Sequence, residues 1–158
     1  KVEKKQASID WKLLDNYGRY GLGITTWPMN HSSFYEPKDA PSFNVVFDNI
    51  HEFEAGYLHL FHSPTLDVFN KGGLKIAVSV NGSEPEIISL NAKGADHPKW
   101  EKWVADNIIH TKIKVNEFKK GQNMITIYHM DPAIILQRII FSEDDKMNSY
   151  LGPNNFNH

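Results

Sequence analysis

The sequence predicts an all-β chain, a β-sandwich with at most one short helix. Three observations carry this. The long apolar runs alternate with period two, the spacing of half-buried strands, and not with the helical period. Turn residues (Gly, Pro, Asn, Asp) punctuate the runs about every 8–12 residues, giving eight or nine short strands. The chain has 158 residues, of which 41% are hydrophobic. That is one domain's length, enough to bury roughly 70% of the unfolded surface.

In order, residues 1–8 (KVEKKQAS) are polar and predict a linker from something upstream. The opening at Lys1 without Met predicts a mature form or an excised domain. The sandwich is expected over 9–142 and a surface-packed C-terminal tail over 143–158. Ile9–Leu14 is a first strand or turn, followed by the turn cluster Asn16–Gly21. Leu22–Trp27 is a strand stopped by Pro28. Met29–Ser42, with Pro37 and Pro41, is the longest irregular segment, and long loops on rigid sandwiches often carry function. Asn44–Asp48 and Gly56–His62 are strands. Leu74–Val80 alternates strictly, with Leu74, Ile76, Val78 and Val80 expected inward and Lys75, Ala77 and Ser79 outward. Asn81-Gly82 suits a type I′ hairpin, whose two central residues need positive φ, with Ile87–Leu90 as the partner strand. Asp96 can cap a short helix with Pro98 in its first turn, and Trp100 and Val104 then share a face. Ile109–Val115 is another strand.

The chain closes on Gly121–Phe141, two apolar runs separated by Asp131-Pro132. Met124–Met130 alternates cleanly. Ile134–Phe141 has apolar residues on both faces, with Ile134, Leu136 and Ile140 expected on one and Ile135, Ile139 and Phe141 on the other. The pair reads as a late β-hairpin or β-arch. The second strand is either central and covered on both faces, or covered by something outside the chain.

Composition excludes several classes. Seventeen basic and nineteen acidic residues give a net charge of −2, with no basic stripe for nucleic acid. The chain has no cysteine, which removes disulfides, thiolate metal sites and a thiol nucleophile. No apolar run is long enough to span a membrane as a helix.

Several motifs, taken in order, resemble the C-terminal domain of glycoside hydrolase family 115, the xylan α-glucuronidases. They are Tyr17-Gly18-Arg19 leading to Trp27-Pro28, Pro64-Thr65-Leu66, Gly73–Gly82, and Trp100-Glu101 with Val104 and Asp106-Asn107-Ile108. Asp131-Pro132 with a β-branched run holding Gln137-Arg138, and Ser149–Pro153, complete the set. No single motif is specific; their order and spacing across nearly the whole chain are. The sequence departs from the family at Gln122-Asn123, where His-Thr is usual, and at Ala133, where Gly is usual. The resemblance implies a jelly-roll-like domain similar to carbohydrate-binding modules. It implies catalytic domains upstream, a periplasmic or extracellular setting, a role in domain packing, homodimer formation or xylan contact, and no cofactor. The parent enzyme would remove glucuronic acid or its 4-O-methyl ether from xylan.

Glycoside hydrolysis needs two carboxylates across the scissile bond. Glu84 and Glu86 flank Pro85 after a hairpin and read as solvated charge. Asp48, Glu52 and Glu54 lack calcium-loop spacing. The eight histidines form no His-Glu-x-x-His helix and read as scattered surface or interface residues. No Gly-x-Ser-x-Gly and no phosphate loop occur. The family's catalytic residues lie in upstream domains and match nothing here, so no catalytic and no metal residue is assigned. The aromatics remain, because flat rings suit the apolar faces of sugars. Trp27 and Tyr35 border the long loop, beside Asn30, His31 and Glu36. Trp100 reads as core and Trp103 as the more exposed ring. Arg19, in the turn before the Leu22 strand, is placed near Trp27 to meet a glucuronate carboxylate.

Overall fold

A computed structural model describes residues 8–49, 52–67, 72–90 and 97–143. The expected linker and tail, apart from Ser8 and Glu143, fall outside these residues, as do Asp96 and the 149–153 motif. Among the described residues nine strands form two antiparallel sheets. They are β1 (Asp10–Tyr17), β2 (Gly21–Trp27), β3 (Ser42–Asn49), β4 (Phe53–His62), β5 (Lys75–Val80), β6 (Glu86–Ser89), β7 (Ile109–Phe118), β8 (Gly121–His129) and β9 (Leu136–Ser142). The five-stranded sheet has the order β1-β2-β9-β4-β7, and the four-stranded sheet β3-β8-β5-β6. A helix, α1 (His97–Asp106), leads into β7, and a 3-10 turn spans Pro37–Asp39; they are the helical elements among the described residues. The sandwich with one short helix is the predicted architecture. No helix among the described residues is long and apolar enough to cross a membrane.

The core lies between the sheets. Leu58 and Leu60 of β4, Ile113 and Val115 of β7 and Leu136 of β9 meet Ile76 and Val78 of β5 and Ile125 and Ile127 of β8. Each such buried aliphatic side chain contributes roughly 1.5–3 kcal/mol. The Asn81-Gly82 turn has both φ values positive, 51° and 80°, as a type I′ turn requires.

The closing stretch is an arch and not a hairpin. The chain leaves β8 in one sheet, turns at Asp131-Pro132, and enters β9 in the other. β9 is central, between β2 and β4, which is why it carries apolar residues on both faces. Their phase differs from strict alternation. Leu136 pairs with His62 and Arg138 with Phe61, so Gln137 is an extra, bulged residue. Past the bulge the faces exchange, and Leu136, Ile139 and Phe141 share the core instead of dividing between two faces.

The outer face of β5 is covered too, against expectation. Ala77 is fully buried and packs with Ala40 and Met130, flanked by Phe34 and Tyr128. The cause is the long loop after β2, which folds back over this sheet. The Phe34 N–H donates to the Met130 carbonyl (2.8 Å), and the His129 N–H to the Pro41 carbonyl (2.8 Å).

Candidate functional site

Three loops meet at the end of the sandwich where β2 and β4 finish and β9 begins. They are the start of the long loop (29–35), the exit of β4 (63–67) and the arch (131–135). Together they enclose a cavity of about 650 Å³. Met29, Leu66, Leu74, Pro132 and Ala133 supply apolar walls, and Asn30, Ser32, Ser33, Asp67 and Asp131 supply polar groups. Tyr35 stands at the edge, 90% exposed, and Leu66 is 60% exposed. An open apolar cavity edged by a ring and a few oriented polar groups is the general form of a small-ligand site.

A hydrogen-bond network holds the walls in place. The Ser63 N–H donates to the Ile135 carbonyl (2.9 Å). The Thr65 hydroxyl donates to the Ala133 carbonyl (3.1 Å). The Lys75 N–H donates to Asp131 Oδ2 (2.6 Å), and the Gly73 N–H to Asp67 Oδ2 (2.8 Å). Behind the cavity lies fully buried His129. Its Nε2–H donates to the Ile134 carbonyl (2.9 Å), which fixes the tautomer and leaves Nδ1 to accept from the Thr26 hydroxyl (3.0 Å). His31 Nε2 lies 2.8 Å from the same Thr26 oxygen, and its Nδ1 lies 2.8 Å from the Ser32 carbonyl. Thr25 also donates to the Ile134 carbonyl (2.7 Å). The end of β2, the long loop, the end of β8 and the arch are thus joined through one relay. Burial pushes the His129 pKa down to about 4; the bond to Ile134 opposes the shift and His31 adds to it.

Three of the described histidines are not surface groups. His59, His62 and His129 are buried, each with at least one ring nitrogen on a protein partner. His59 Nδ1 lies 2.9 Å from His110 Nε2, and His62 Nε2 lies 3.1 Å from Thr111 Oγ1. His62 is pushed down to about 4, first by burial and then by neighbouring His110, against a backbone bond to Ser63. His110 is also lowered, by burial, His59 and Lys112 in that order. Among the described residues no group of three or more His, Asp or Glu side chains could hold a metal ion.

Of the aromatic candidates, only Tyr35 lines the cavity. Trp27 ends β2 on the same end of the sandwich, 46% exposed, with Lys12 Nζ 3.9 Å from its ring centroid. The Trp27-Pro28 peptide is cis. Trp103 is half-buried on α1, edge-on to Trp100 at 6.3 Å, and neither tryptophan is in the sandwich core. Arg19 does not approach Trp27. Trp27 pairs with Asp10 at one end of the β1–β2 hairpin, and Arg19 lies in the turn beyond the Tyr17–Gly21 pair at the other. A strand of that length separates its ends by roughly 20 Å. The Arg19 N–H donates instead to Gln137 Oε1 (2.8 Å). Leu66, Asp67 and Asp131 escaped sequence reading because each sits in a segment that reads as an ordinary turn.

Two antiparallel sheets packed as a sandwich are also the fold of carbohydrate-binding-module neighbours. A family 35 carbohydrate binding module from Clostridium thermocellum superposes with a TM-score of 0.53 at 10% identity, covering 85% of this chain and 89% of that one. The chain belongs to the glycosyl hydrolase family 115 C-terminal domain family, whose model matches residues 1–155. A family GH115 4-O-methyl-α-glucuronidase with specificity for decorated arabinogalactans superposes with a TM-score of 0.65 at 18% identity. That match covers 91% of this chain but 18% of the enzyme, so the chain corresponds to under a fifth of its length. An exo-β-1,3-galactanase from Phanerochaete chrysosporium, solved with galactose, gives a TM-score of 0.52 at 13% identity, covering 85% of this chain and 27% of that one. No curated protein matches significantly.

Proposed function

We propose that this domain is a non-catalytic module of a larger family 115 α-glucuronidase, and that it contacts the glycan through the cavity beside Tyr35. The observation that carries the reading is the cavity itself: an exposed ring and apolar walls facing hydroxyl-sized polar groups. The family assignment supports catalytic domains elsewhere in the parent protein, which would remove glucuronic acid or its 4-O-methyl ether from a plant polysaccharide. A polymeric substrate favours an extracellular or periplasmic setting. Xylan is one candidate glycan, and the arabinogalactan specificity of the GH115 relative makes a galactan a second. Packing against the catalytic domains or forming a dimer is compatible with this role. Trp27, Trp103 and Arg19 lie outside the cavity and would serve only a longer chain reaching beyond it.

A second reading is an independent carbohydrate-binding module. The near end-to-end superposition on a family 35 module favours it. One experiment addresses both. Neutral xylo- and galacto-oligosaccharides are titrated into the isolated chain while amide shifts of the cavity loops are followed. One ring and a few hydrogen bonds at a wet surface give affinities in the high-micromolar to millimolar range, about −4 to −6 kcal/mol. Tyr35→Ala is expected to weaken binding about tenfold while leaving the fold intact, since the side chain is exposed. No cavity shifts with any oligosaccharide would leave domain packing as the function.

A further inference from the structure

The charge on the cavity walls is uneven. Among the described residues that line it there is no lysine or arginine, while Asp67 and Asp131 both do. Asp131 is 5% exposed, and one of its oxygens is held by the Lys75 N–H. Asp67 is held likewise by the Gly73 N–H. Each carboxylate is therefore aimed by a main-chain donor, and its second oxygen remains to meet a ligand. His31, the other titratable group apart from Tyr35 on these walls, directs both ring nitrogens to protein oxygens.

From this we infer that the cavity takes a neutral sugar unit and excludes a uronic acid. The inference rests on the glycan-contact reading above and narrows it. Sugar hydroxyls are donors, and a carboxylate oxygen accepts from them in a charge-assisted bond. The C–H face of a neutral ring fits against Tyr35, Leu66 and Pro132. A uronate places a third anion beside two others, loses part of its hydration, and finds no lysine or arginine on the described walls to repay the loss. In an enzyme that removes a uronic acid, this domain would then hold the neutral part of the polymer, leaving the acidic branch to the catalytic domain. A glucuronate-binding role for Arg19 is not needed at this site.

The test is a matched pair of titrations on the isolated chain, followed by amide shifts of Ser32, Leu66 and Ala133 at about pH 8, above the ordinary histidine range. One series uses galactose, arabinose and xylobiose. The other uses galacturonate, glucuronate and a glucuronosyl-xylose disaccharide. The expected result is cavity shifts with at least one neutral sugar and binding about tenfold or more weaker for its acidic counterpart. Asp67→Asn, whose side-chain carbonyl still accepts from Gly73, should narrow that gap. Cavity binding of a uronate equal to or tighter than that of neutral sugars would overturn this inference and leave the glycan-contact reading standing. Silence from both series at tens of millimolar would overturn that reading and the inference with it.

Discussion

Ala133, at the arch, has φ 62°, in the left-handed region where an L side chain is strained by roughly 1–2 kcal/mol. The family resemblance places a glycine here, and the backbone supplies the reason. Ala133→Gly should therefore stabilise the fold, by about 0.5–1 kcal/mol after glycine's extra unfolded-state entropy is subtracted. Thermal unfolding should read this as a midpoint raised by about 1–4 °C; an unchanged or lower midpoint would mean that the arch relaxes around Ala133. The second family departure, Asn123, is equally local. Buried at the start of β8, its amide donates to the Lys119 and Gly121 carbonyls (both 2.8 Å), and its oxygen accepts from the Lys119 N–H (2.9 Å). One side chain thus closes the β7–β8 turn, a duty that composition and periodicity cannot reveal.

At the scale of elements, the bulge at Gln137 organises more than its own strand. The extra residue frees its side chain to accept from Arg19 N–H (2.8 Å) and to donate to Ser63 Oγ (2.8 Å) and the Asn107 carbonyl (3.3 Å). It ties the β1–β2 turn, the exit of β4 and the end of α1 together. The turn must come close for this. A Cβ on Gly18 would stand 2.4 Å from the Gln137 amide, and Gly18 has φ +64°. Gly18→Ala is expected to cost about 1–3 kcal/mol by combining strain with overpacking. Gly21→Ala, at φ +76° with open space around it, serves as the control and should cost about 1 kcal/mol. Denaturant midpoints of the two variants decide the matter; equal losses would mean that the Gln137 contact contributes nothing. Period-two reading located β9 and left a central place as one of two alternatives, but it assigned the faces wrongly, because one bulged residue reverses every side chain after it.

For the whole molecule, His62 and His129 set a pH dependence. Each is held to about 4 in the fold against an ordinary 6.5. Below pH 6.5 the unfolded chain binds protons that the folded chain refuses, so stability is greatest above that value and falls as pH drops toward 4. The loss is on the order of 3 kcal/mol per histidine. Urea midpoints measured from about pH 7.5 to 4 should fall steadily, and His62→Gln should flatten the lower part of the curve. Midpoints independent of pH over that window would mean that neither ring is shielded. The sheets were legible in the sequence because alternation is a property of neighbouring residues. The cavity was only half legible. Tyr35 and His31 lie in a loop whose length announced it, but Leu66 and Asp131 come from segments far along the chain that the fold alone brings together.

The arch also bears on the order in which the molecule can be completed. Among the described strands β8 alone bridges β3 and β5, and β9 alone bridges β2 and β4. Until these last two strands exist, the β1–β2 hairpin, β3, the β5–β6 hairpin and the β4–β7 pair are separate pieces, each with an open apolar side. A nascent chain therefore emerges from the ribosome with most of its residues made and neither sheet joined. The contacts that join them are non-local, the kind that forms slowly and leaves strand edges exposed meanwhile. Assembly waits for these two strands, and loss of the segment after Asp131 would leave the β3-β8-β5-β6 sheet facing a second sheet split into the β1–β2 hairpin and the β4–β7 pair.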